Sequence, residues 1–283
     1  MNLTTIASVV IWYEPQIDYL ANLDSYSSYV GHTYIIDNSS KSYEKWVVSK
    51  RAVTYVWLGG NQGIARALNS GCKMAYDTGF QFVLTMDQDS AFDSDMVNTY
   101  LEEANVAFND KVLAMVGVTF QGSGIQPYNG YIERNSVITS GSLLRLSSWS
   151  SIGGFEEKLF IDQVDHEFCY RLKKNGYHIV IDTNITLCHQ VGSPLRKKIL
   201  GYTILTTNHP WVRRYYQVRN SLYLRHKYPE YAKPFPTYLY DLLYHCLGII
   251  LVERGSGKKI KAVLYGIWDF FRGRYGAWEE HYQ

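Results

Sequence analysis

The stretch Leu84-Thr85-Met86-Asp87-Gln88-Asp89-Ser90 decides the predicted fold of this chain. The stretch continues an apolar run that starts at Phe82, and it contains two carboxylates separated by one residue. This pattern predicts a buried strand that opens into a loop. Side chains two apart on an extended backbone point the same way, so Asp87 and Asp89 can face one ligand together. Their mutual repulsion calls for protons or a cation, and a hard divalent ion such as Mg²⁺ or Mn²⁺ would also bind substrate phosphates. The alternative is a plain polar turn that caps the next helix.

Upstream of this stretch, three apolar runs predict strands at residues 6–11, 33–36 and 53–57. A helix is expected from Glu14-Pro15 to about residue 23, and a second one over residues 64–77. Polar turns follow the strands at Asp37-Asn38-Ser39-Ser40 and Gly59-Gly60-Asn61-Gln62-Gly63. The carboxyl edge of such a parallel sheet is where α/β proteins bind ligands, although an Asx turn explains the first segment equally simply. Because neither the dinucleotide glycine fingerprint nor a Walker motif is present, a Rossmann dehydrogenase and a P-loop NTPase are not supported.

Composition narrows the class of protein. The 283 residues suffice for one large α/β domain with a smaller appendage, and the net charge of +2 gives no indication of a nucleic-acid partner. The four scattered cysteines fit reduced thiols in the cytoplasm, and no signal peptide is evident at the start of the sequence. The 25 tyrosines and 7 tryptophans suit sugar stacking, protein contacts or a membrane interface.

Six segments in order resemble the inverting GT-A-fold glycosyltransferases of family 2, and within that family the bacterial rhamnosyltransferases of polysaccharide assembly. They are Ile36-Asp37-Asn38-Ser39-Ser40, Asn61-Gln62-Gly63-Ile64-Ala65-Arg66-Ala67-Leu68-Asn69, Met86-Asp87-Gln88-Asp89-Ser90, Thr139-Ser140-Gly141-Ser142-Leu143, Ile152-Gly153-Gly154-Phe155 and Leu159-Phe160-Ile161-Asp162-Gln163-Val164-Asp165-His166-Glu167-Phe168-Cys169-Tyr170-Arg171. The resemblance implies an α/β GT-A fold, with a mostly parallel Rossmann-like sheet flanked by helices and a C-terminal helical appendage. It divides the chain into a catalytic domain over residues 1–228, with donor and acceptor halves at 1–117 and 118–228, and a tail over 229–283.

The resemblance also implies roles for the donor half. Asp37 would accept hydrogen bonds from the base of a nucleoside diphosphate sugar, and Asp87 would face the ribose or the metal. Asp89 would bind a Mg²⁺ or Mn²⁺ ion that bridges the two phosphates, and His189 would complete the metal site. Three further residues would lie near the nucleotide or its sugar: Asn61, Gly63 and Arg66. A predicted helix through residue 224 would add Arg213 and Arg219 near the diphosphate, with a solvated basic face as the competing interpretation.

The second half supplies acceptor chemistry. A strand is predicted over residues 131–139, and the turn after it, Ser140-Gly141-Ser142, would let an acceptor sugar approach the backbone closely, with an ordinary loop as the alternative. Gly154 is expected at the acceptor, because Gly153-Gly154-Phe155 resembles the family's loop below the acceptor pocket. Asp165 occupies the position of the family's catalytic base, although Val164 stands where many relatives have an acid. Asp162 is therefore the second-choice base. Acids that favour a helix N-terminus through its dipole are the structural alternative.

The tail from residue 229 combines apolar, aromatic and basic residues. An apolar run over residues 238–252 is short for a membrane span, and a basic, aromatic segment follows it to residue 275. This composition suits peripheral attachment to the inner face of the cell membrane, and packing on the catalytic domain or homodimerisation are the alternatives.

The resemblance implies a cytoplasmic, metal-dependent inverting glycosyltransferase of bacterial surface polysaccharide synthesis. It also implies dTDP-L-rhamnose as the favoured donor and a glycan or polyprenyl-linked glycan as the acceptor. A different donor such as a UDP-hexose, or a non-catalytic partner subunit that binds nucleotide sugars, are the alternatives. A nucleotidyltransferase is disfavoured, because residues 6–20 lack the lysine and glycine of a triphosphate loop.

Overall fold

The computed structural model describes residues 5–120, 124–125, 130–189, 195–199 and 202–278, without the side chains at positions 94, 95, 189, 199 and 202. The strands are β1 (Ile6–Trp12), β2 (His32–Asp37), β3 (Val53–Trp57), β4 (Phe82–Asp87), β5 (Ser90–Ala91), β6 (Leu113–Phe120), β7 (Tyr131–Glu133), β8 (Ser142–Arg145), β9 (His178–His189), β10 (Leu195–Ile199) and β11 (Tyr202–Thr206). The helices are α1 (Tyr19–Ser27), α2 (Ile64–Asp77), α3 (Ser94–Ala107), α4 (Leu146–Ser151), α5 (Val164–Lys174), α6 (Trp211–Lys227), α7 (Phe235–Val252) and α8 (Ser256–Arg272).

One mixed sheet organises the first part of the chain. Its strand order is β3-β2-β1-β4-β8-β6-β9-β5, with β7 paired on β9. The first four strands run parallel, and β8 is antiparallel to both β4 and β6. The predicted α/β fold with a mostly parallel sheet and C-terminal helices is confirmed.

Close packing between α2 and the sheet explains why the sequence folds this way. All seven residues of β1 are buried, as expected for a strand that is covered on both faces. The inward side of α2 carries small residues, and a Cβ placed on Gly71 would lie 2.4 Å from Val9 Cγ1. The helix therefore needs a glycine there to approach β1, and this packing fixes the position of the loop that precedes α2.

Two predicted elements have different bounds. The first helix begins at Tyr19, because Glu14 adopts a φ of 45° and its carboxylate binds the loop after β2. The strand expected over residues 131–139 is limited to Tyr131–Glu133, which pairs with β9. Both differences come from long-range pairing that local sequence does not reveal.

The chain forms two compact units. The first comprises Met1–Glu157 with Val164–Gln190, and the second comprises Lys158–Gln163 with Val191–Gln283. The second unit contains the β10–β11 hairpin and α6 to α8, and its most extensive contact between helices is that of α6 with α8. Residue 228 lies inside the second unit, in which α6 packs with α8. The division into a catalytic domain and a tail stays a prediction.

Candidate active site

Four parallel strands of the first unit end together at one edge of the sheet. Asp37, the last residue of β2, is in register with Trp12 of β1 and Trp57 of β3. Asp87, the last residue of β4, is in register with Ile11 of β1. One strand separates the two aspartates, so their backbones lie about 10 Å apart across the sheet. This edge collects polar side chains at the carboxyl ends of the strands, where α/β sheets bind ligands.

The acidic loop after β4 is a tight two-residue turn between β4 and β5. Gln88 holds this turn next to the residue that follows β1. Its side-chain amide accepts a hydrogen bond from Tyr13 N at 2.8 Å and donates one to Tyr13 O at 3.0 Å. Asn22 Nδ2 also donates to the carbonyl oxygen of Gln88 at 3.0 Å. Asp89 thus lies in a turn, and the alternation expected of an extended backbone does not apply to it. Asp87 and Asp89 are both partly exposed, so a ligand can reach this loop.

The predicted acceptor turn supports the acidic loop from within. The backbone N–H of Asp87 donates to Ser140 Oγ at 3.2 Å. The Ser140 hydroxyl in turn donates to Ser90 Oγ at 2.8 Å. Gly141 has a φ of 75°, and a Cβ there would lie 2.7 Å from Val118 Cγ2. Ser140 and Ser142 are buried. The turn Ser140-Gly141-Ser142 is thus packed against protein and supports the turn that carries Asp87. Its contact with an acceptor stays a prediction.

Asp37 organises the loop after β2. Its side chain is fully buried and accepts hydrogen bonds from Ser39 N at 2.9 Å, Tyr43 N at 3.2 Å and the hydroxyl of Tyr55. Burial and the bond to Asp37 raise the pKa of Tyr55 to about 12, so its hydroxyl keeps its proton and donates. The carboxylate therefore holds its own loop in this structure. Contact between Asp37 and a nucleotide base stays a prediction.

An amide pair joins the loops after β2 and β3. Asn38 Nδ2 donates to Asn61 Oδ1 at 3.0 Å, and Asn38 Oδ1 accepts from Gln62 N at 2.6 Å. Gly63, with a φ of 84°, then starts α2 without a side-chain cap. Such an uncapped helix start presents backbone N–H groups and the positive end of the helix dipole to an anion. Arg66 and Asn61 are exposed beside it, so these two of the predicted nucleotide residues are accessible to a ligand.

The donor set at the acidic loop suits a hard divalent cation. Magnesium sites commonly use one or two carboxylates and take further oxygens from substrate phosphates, so two protein carboxylates would be enough. The role of Asp87 and Asp89 as these ligands stays a prediction. In the described part of the chain, no group of three or more His, Cys, Asp or Glu is placed to hold a metal by itself. The backbone of His189 is in register with Ser90, directly after Asp89. The side chain of His189 lies outside the described residues, so its predicted ligand role stays a prediction.

The start of α5 carries a carboxylate–imidazole pair. Asp165 Oδ1 lies 2.8 Å from His166 Nδ1 and accepts a second bond from His166 N at 2.8 Å. Burial raises the pKa of Asp165, but the charge and hydrogen bonds of His166 outweigh it, so the pKa falls below its usual value. The charge of Asp165 raises the pKa of His166 despite burial. Asp165 is therefore ionised at neutral pH and partly exposed, as a proton acceptor must be.

Glu167 and Gly154 have structural partners instead. The buried Glu167 pairs with Arg171 at 2.8 Å, and Arg171 also donates to the carbonyl oxygens of Ile152 and Gly154 at 2.6 Å each. A Cβ on Gly154 would lie 2.6 Å from Asn69 Oδ1. The glycine turn is thus fixed between two helices, and an acceptor contact of Gly154 stays a prediction.

In the second unit, α6 holds the loop that precedes α5. Three residues of this loop, Phe160, Asp162 and Gln163, have φ values of 67°, 63° and 65°, a conformation that side chains other than glycine rarely adopt. Asn220 Nδ2 donates to the carbonyl oxygens of Leu159, Ile161 and Asp162 at 2.9, 2.7 and 2.9 Å. Phe160 also stacks on Tyr216, with ring centroids 5.2 Å apart.

The two predicted arginines of α6 serve the same loop. Arg219 is fully buried and donates to Leu159 O at 3.0 Å, Gly276 O at 3.0 Å and Asn220 Oδ1 at 2.9 Å. Its guanidinium is thus engaged by protein acceptors, and a contact of Arg219 with the donor stays a prediction. Arg213 is partly exposed and forms a two-pronged ion pair with Asp162, with a shortest distance of 2.7 Å. Asp162, the second-choice base, is thus engaged by a cation.

Four residues of the site were missed by the sequence interpretation: Gln88, Asn38, His166 and Asn220. Three of them are amides whose partners lie far away in sequence, so nothing local marks them. His166 could have been found, since a histidine directly after a candidate base can form a charged pair with it.

Residues 32–200 match the family model described as Glycosyl transferase family 2. The chain is 26% identical over 300 residues to the dTDP-rhamnosyl transferase RfbF of Shigella flexneri, an alignment that covers 97% of this chain and 98% of that protein.

Two solved structures show the same fold. The crystal structure of GalNAc-T7 with UDP, GalNAc and Mn²⁺ superposes with a TM-score of 0.58 at 12% identity, over 77% of this chain and 47% of that one. The chain thus spans about half the length of that structure. The crystal structure of S. aureus TarS 1–349 superposes with a TM-score of 0.50 at 14% identity, over 95% of this chain and 72% of that one. At these identities the likeness is one of fold, and it confirms the predicted GT-A type.

Proposed function

The chain belongs to glycosyl transferase family 2, and from this premise we propose that it is a metal-dependent inverting enzyme that transfers L-rhamnose from dTDP-L-rhamnose. The acceptor is a saccharide or lipid-linked saccharide of bacterial surface polysaccharide synthesis. The likeness to the S. flexneri dTDP-rhamnosyl transferase over nearly the full length of both chains supports this donor. Family membership by itself makes the protein a glycosyltransferase.

The observation that carries the proposal is the alignment of polar residues at one edge of the sheet. Asp37 and Asp87 end strands on either side of β1, and the uncapped start of α2 follows the next strand end. A nucleoside diphosphate needs a site for its base and ribose together with positive partners for its phosphates. The positive end of the α2 dipole after Gly63 and the exposed Arg66 supply such partners, and the exposed amide of Asn61 lies beside them. Asp87 and Asp89 would hold a Mg²⁺ or Mn²⁺ ion, whose positive charge offsets charge on the leaving diphosphate.

Asp165 acts as the general base of the proposed reaction. Its carboxylate accepts the proton of an acceptor hydroxyl as that oxygen forms a bond to the anomeric carbon. The bond from that carbon to the diphosphate oxygen breaks on the opposite face, so the configuration inverts. His166 keeps Asp165 ionised before the reaction through its charge and two hydrogen bonds. Asp162 is a poorer base, because Arg213 holds both of its carboxylate oxygens.

A second candidate function is transfer from a different nucleotide sugar, such as a UDP-hexose. The edge described above recognises phosphates and a metal, which all such donors share. A non-catalytic partner subunit is the remaining alternative, and membership of a glycosyltransferase family favours an enzyme over it.

The test compares nucleotide sugars directly. With Mg²⁺ or Mn²⁺ present, dTDP-L-rhamnose should raise the thermal midpoint more than UDP-glucose, UDP-galactose or GDP-mannose, since stabilisation follows ligand concentration over dissociation constant. The protein should also release dTDP slowly from dTDP-L-rhamnose. A larger shift and turnover with a UDP-hexose would replace the donor assignment, and binding without any turnover would favour the non-catalytic role.

A further inference from the structure

The second unit exposes large apolar side chains on both of its last two helices. The stripe of α7 is formed by Tyr240, Leu243, Leu247 and Ile250, which are 48 to 69% exposed. The stripe of α8 is formed by Leu264, Trp268 and Phe271, which are 52 to 78% exposed. Their spacings of three and four residues put each set on one side of its helix. We call these seven residues the apolar face. Exposed apolar surface of this extent marks an interaction site.

The opposite sides of both helices are engaged in the core of the second unit. Ile249 of α7 and Val263 of α8 are buried together with Val218 of α6. Gly248 of α7 lies against Ile204 and Thr206 of the β10–β11 hairpin. The apolar face therefore consists of those side chains of the two helices that the core of the second unit leaves exposed.

Within the part of the chain that the structure describes, the exposed charged side chains of α8 are all basic. On α8 the exposed charged side chains are Lys258, Lys261 and Arg272, whereas Asp269 is buried against Tyr215. Arg254, just before α8, is also exposed. The guanidinium of Arg272 lies 4.5 Å from the ring of Trp268, so a basic side chain adjoins the apolar stripe of α8. The partly exposed Asp241 of α7 is paired with Lys233 at 2.7 Å.

From this combination we propose that the apolar face docks on the surface of an anionic phospholipid membrane. Amphipathic helices that bind there bury leucine and aromatic side chains at the boundary of headgroups and acyl chains, and their basic residues attract anionic lipid. Tyr240 and Trp268 are the ring types enriched at that boundary. A second copy of the chain is a worse occupant, since a two-fold contact through this face would place the basic residues of both copies against each other.

Lateral docking also fits α7 better than insertion across the bilayer. Within the described residues, α7 is the helix whose length and composition would allow a crossing, and 11% of it is buried. Its 18 residues include Asp241 and His245. The packing of Ile249 in the protein core would be lost on insertion. The proposal does not depend on the donor sugar.

The test uses the full-length protein and sedimentation with vesicles. One set contains phosphatidylcholine alone, and the other also contains phosphatidylglycerol. The protein should bind the anionic vesicles, and high salt should weaken this binding. Lys261→Gln with Arg272→Gln should weaken it about 30-fold, at about 1 kcal/mol for each basic side chain near the surface. Trp268→Ser with Phe271→Ser should abolish it.

The matched control is Val48→Ser with Val106→Ser, which removes two apolar side chains of the first unit that are 78 and 68% exposed. This control should bind vesicles as the parent protein does. All variants should keep the thermal midpoint of the parent protein and its turnover of a water-soluble acceptor. Equal binding to neutral and anionic vesicles would overturn the proposal. So would unchanged binding by the Trp268 and Phe271 variant, or loss of a dimer in that variant without loss of vesicle binding. Resistance of the bound protein to alkaline extraction would overturn peripheral docking.

Discussion

The side-chain amide nitrogen of Asn220 lies 2.9 Å from the backbone carbonyl oxygen of Asp162 and binds two more carbonyl oxygens of the same loop. Asp162 has a positive φ, as do Phe160 and Gln163. Each such residue costs of order 1 kcal/mol or more, so the loop keeps its shape because α6 holds it. The loop ends where α5 begins, and Asp165 is the second residue of α5.

Replacing Asn220 with alanine should therefore reduce kcat more than it changes the KM for the donor. A catalytic group that is slightly misplaced loses about ten- to a hundredfold in rate. The three carbonyl oxygens also lose their donor, which should cost about 1 to 3 kcal/mol of stability. Steady-state kinetics and thermal unfolding measure both effects.

The control for this variant is Asn98→Ala, an exposed asparagine that bonds to Glu102 on α3. It should leave kcat unchanged. If Asn220→Ala lowers stability and leaves kcat at the parent value below the unfolding temperature, then the loop does not position the base.

Replacing His166 with glutamine should move the acidic limb of the rate profile to higher pH. His166 lowers the pKa of Asp165 against the effect of burial. Without the imidazolium, burial dominates and the pKa of Asp165 rises, so the base is protonated over a wider acidic range. The measurement is kcat/KM against pH for both proteins. His178→Gln, which removes a half-exposed histidine of β9 near Glu133, is the control and should not shift the limb. A limb that stays in place, or moves to lower pH, would exclude this coupling.

Replacing Asp89 with asparagine should raise the concentration of Mg²⁺ or Mn²⁺ needed for half-maximal activity at least about tenfold, because one of two anionic ligands is lost. A chelator should abolish activity of the parent protein, and added metal should restore it. Asp93→Asn, which changes an exposed acid four residues later, serves as the control. Activity of the parent protein that survives full chelation would remove the metal from the proposal.

Replacing Asp182 with asparagine should stabilise the protein above neutral pH and have less effect near pH 5. Burial and the neighbouring Glu103 raise the pKa of Asp182 to about 7. Because this value lies above that of the unfolded chain, the parent protein loses stability as pH rises from about 4 to 7, and the loss is complete above that range. Asparagine cannot ionise, so the difference in thermal midpoint should grow with pH, to at least about 2 °C at pH 8. A constant or shrinking difference would contradict the raised pKa.

Local sequence predicted the strands and helices that bury a periodic apolar face. The strand Val53–Trp57 and the helix Ile64–Asp77 have the predicted bounds, because their patterns and their glycine-rich boundaries are local. The start of the first helix was predicted too early. Glu14 forms long-range hydrogen bonds with Ser40 and Tyr43 that keep the backbone out of the helix there.

Local sequence was informative for the candidate site to a similar extent. Motif position predicted site residues at the acidic turn and at the start of α5, but it could not show which predicted residues also hold the loops. Ser140 and Arg219 are predicted to lie at the acceptor and the donor, and the structure shows that both are buried and bonded to backbone atoms of other segments. Their partners are 53 and 60 residues away in sequence, so these contacts could be found only in the tertiary structure.

The central claim is tested most directly by measuring turnover of dTDP-L-rhamnose, with Mg²⁺ or Mn²⁺ and an acceptor glycan, by the parent protein, Asp165→Asn and Asp162→Asn. The parent protein should release dTDP and form an inverted glycosidic product. Asp165→Asn should bind the donor normally but turn over about a hundred- to ten-thousandfold more slowly, and Asp162→Asn should lose much less. A folded Asp165→Asn protein with turnover equal to that of the parent would contradict the assignment of the base and the mechanism built on it.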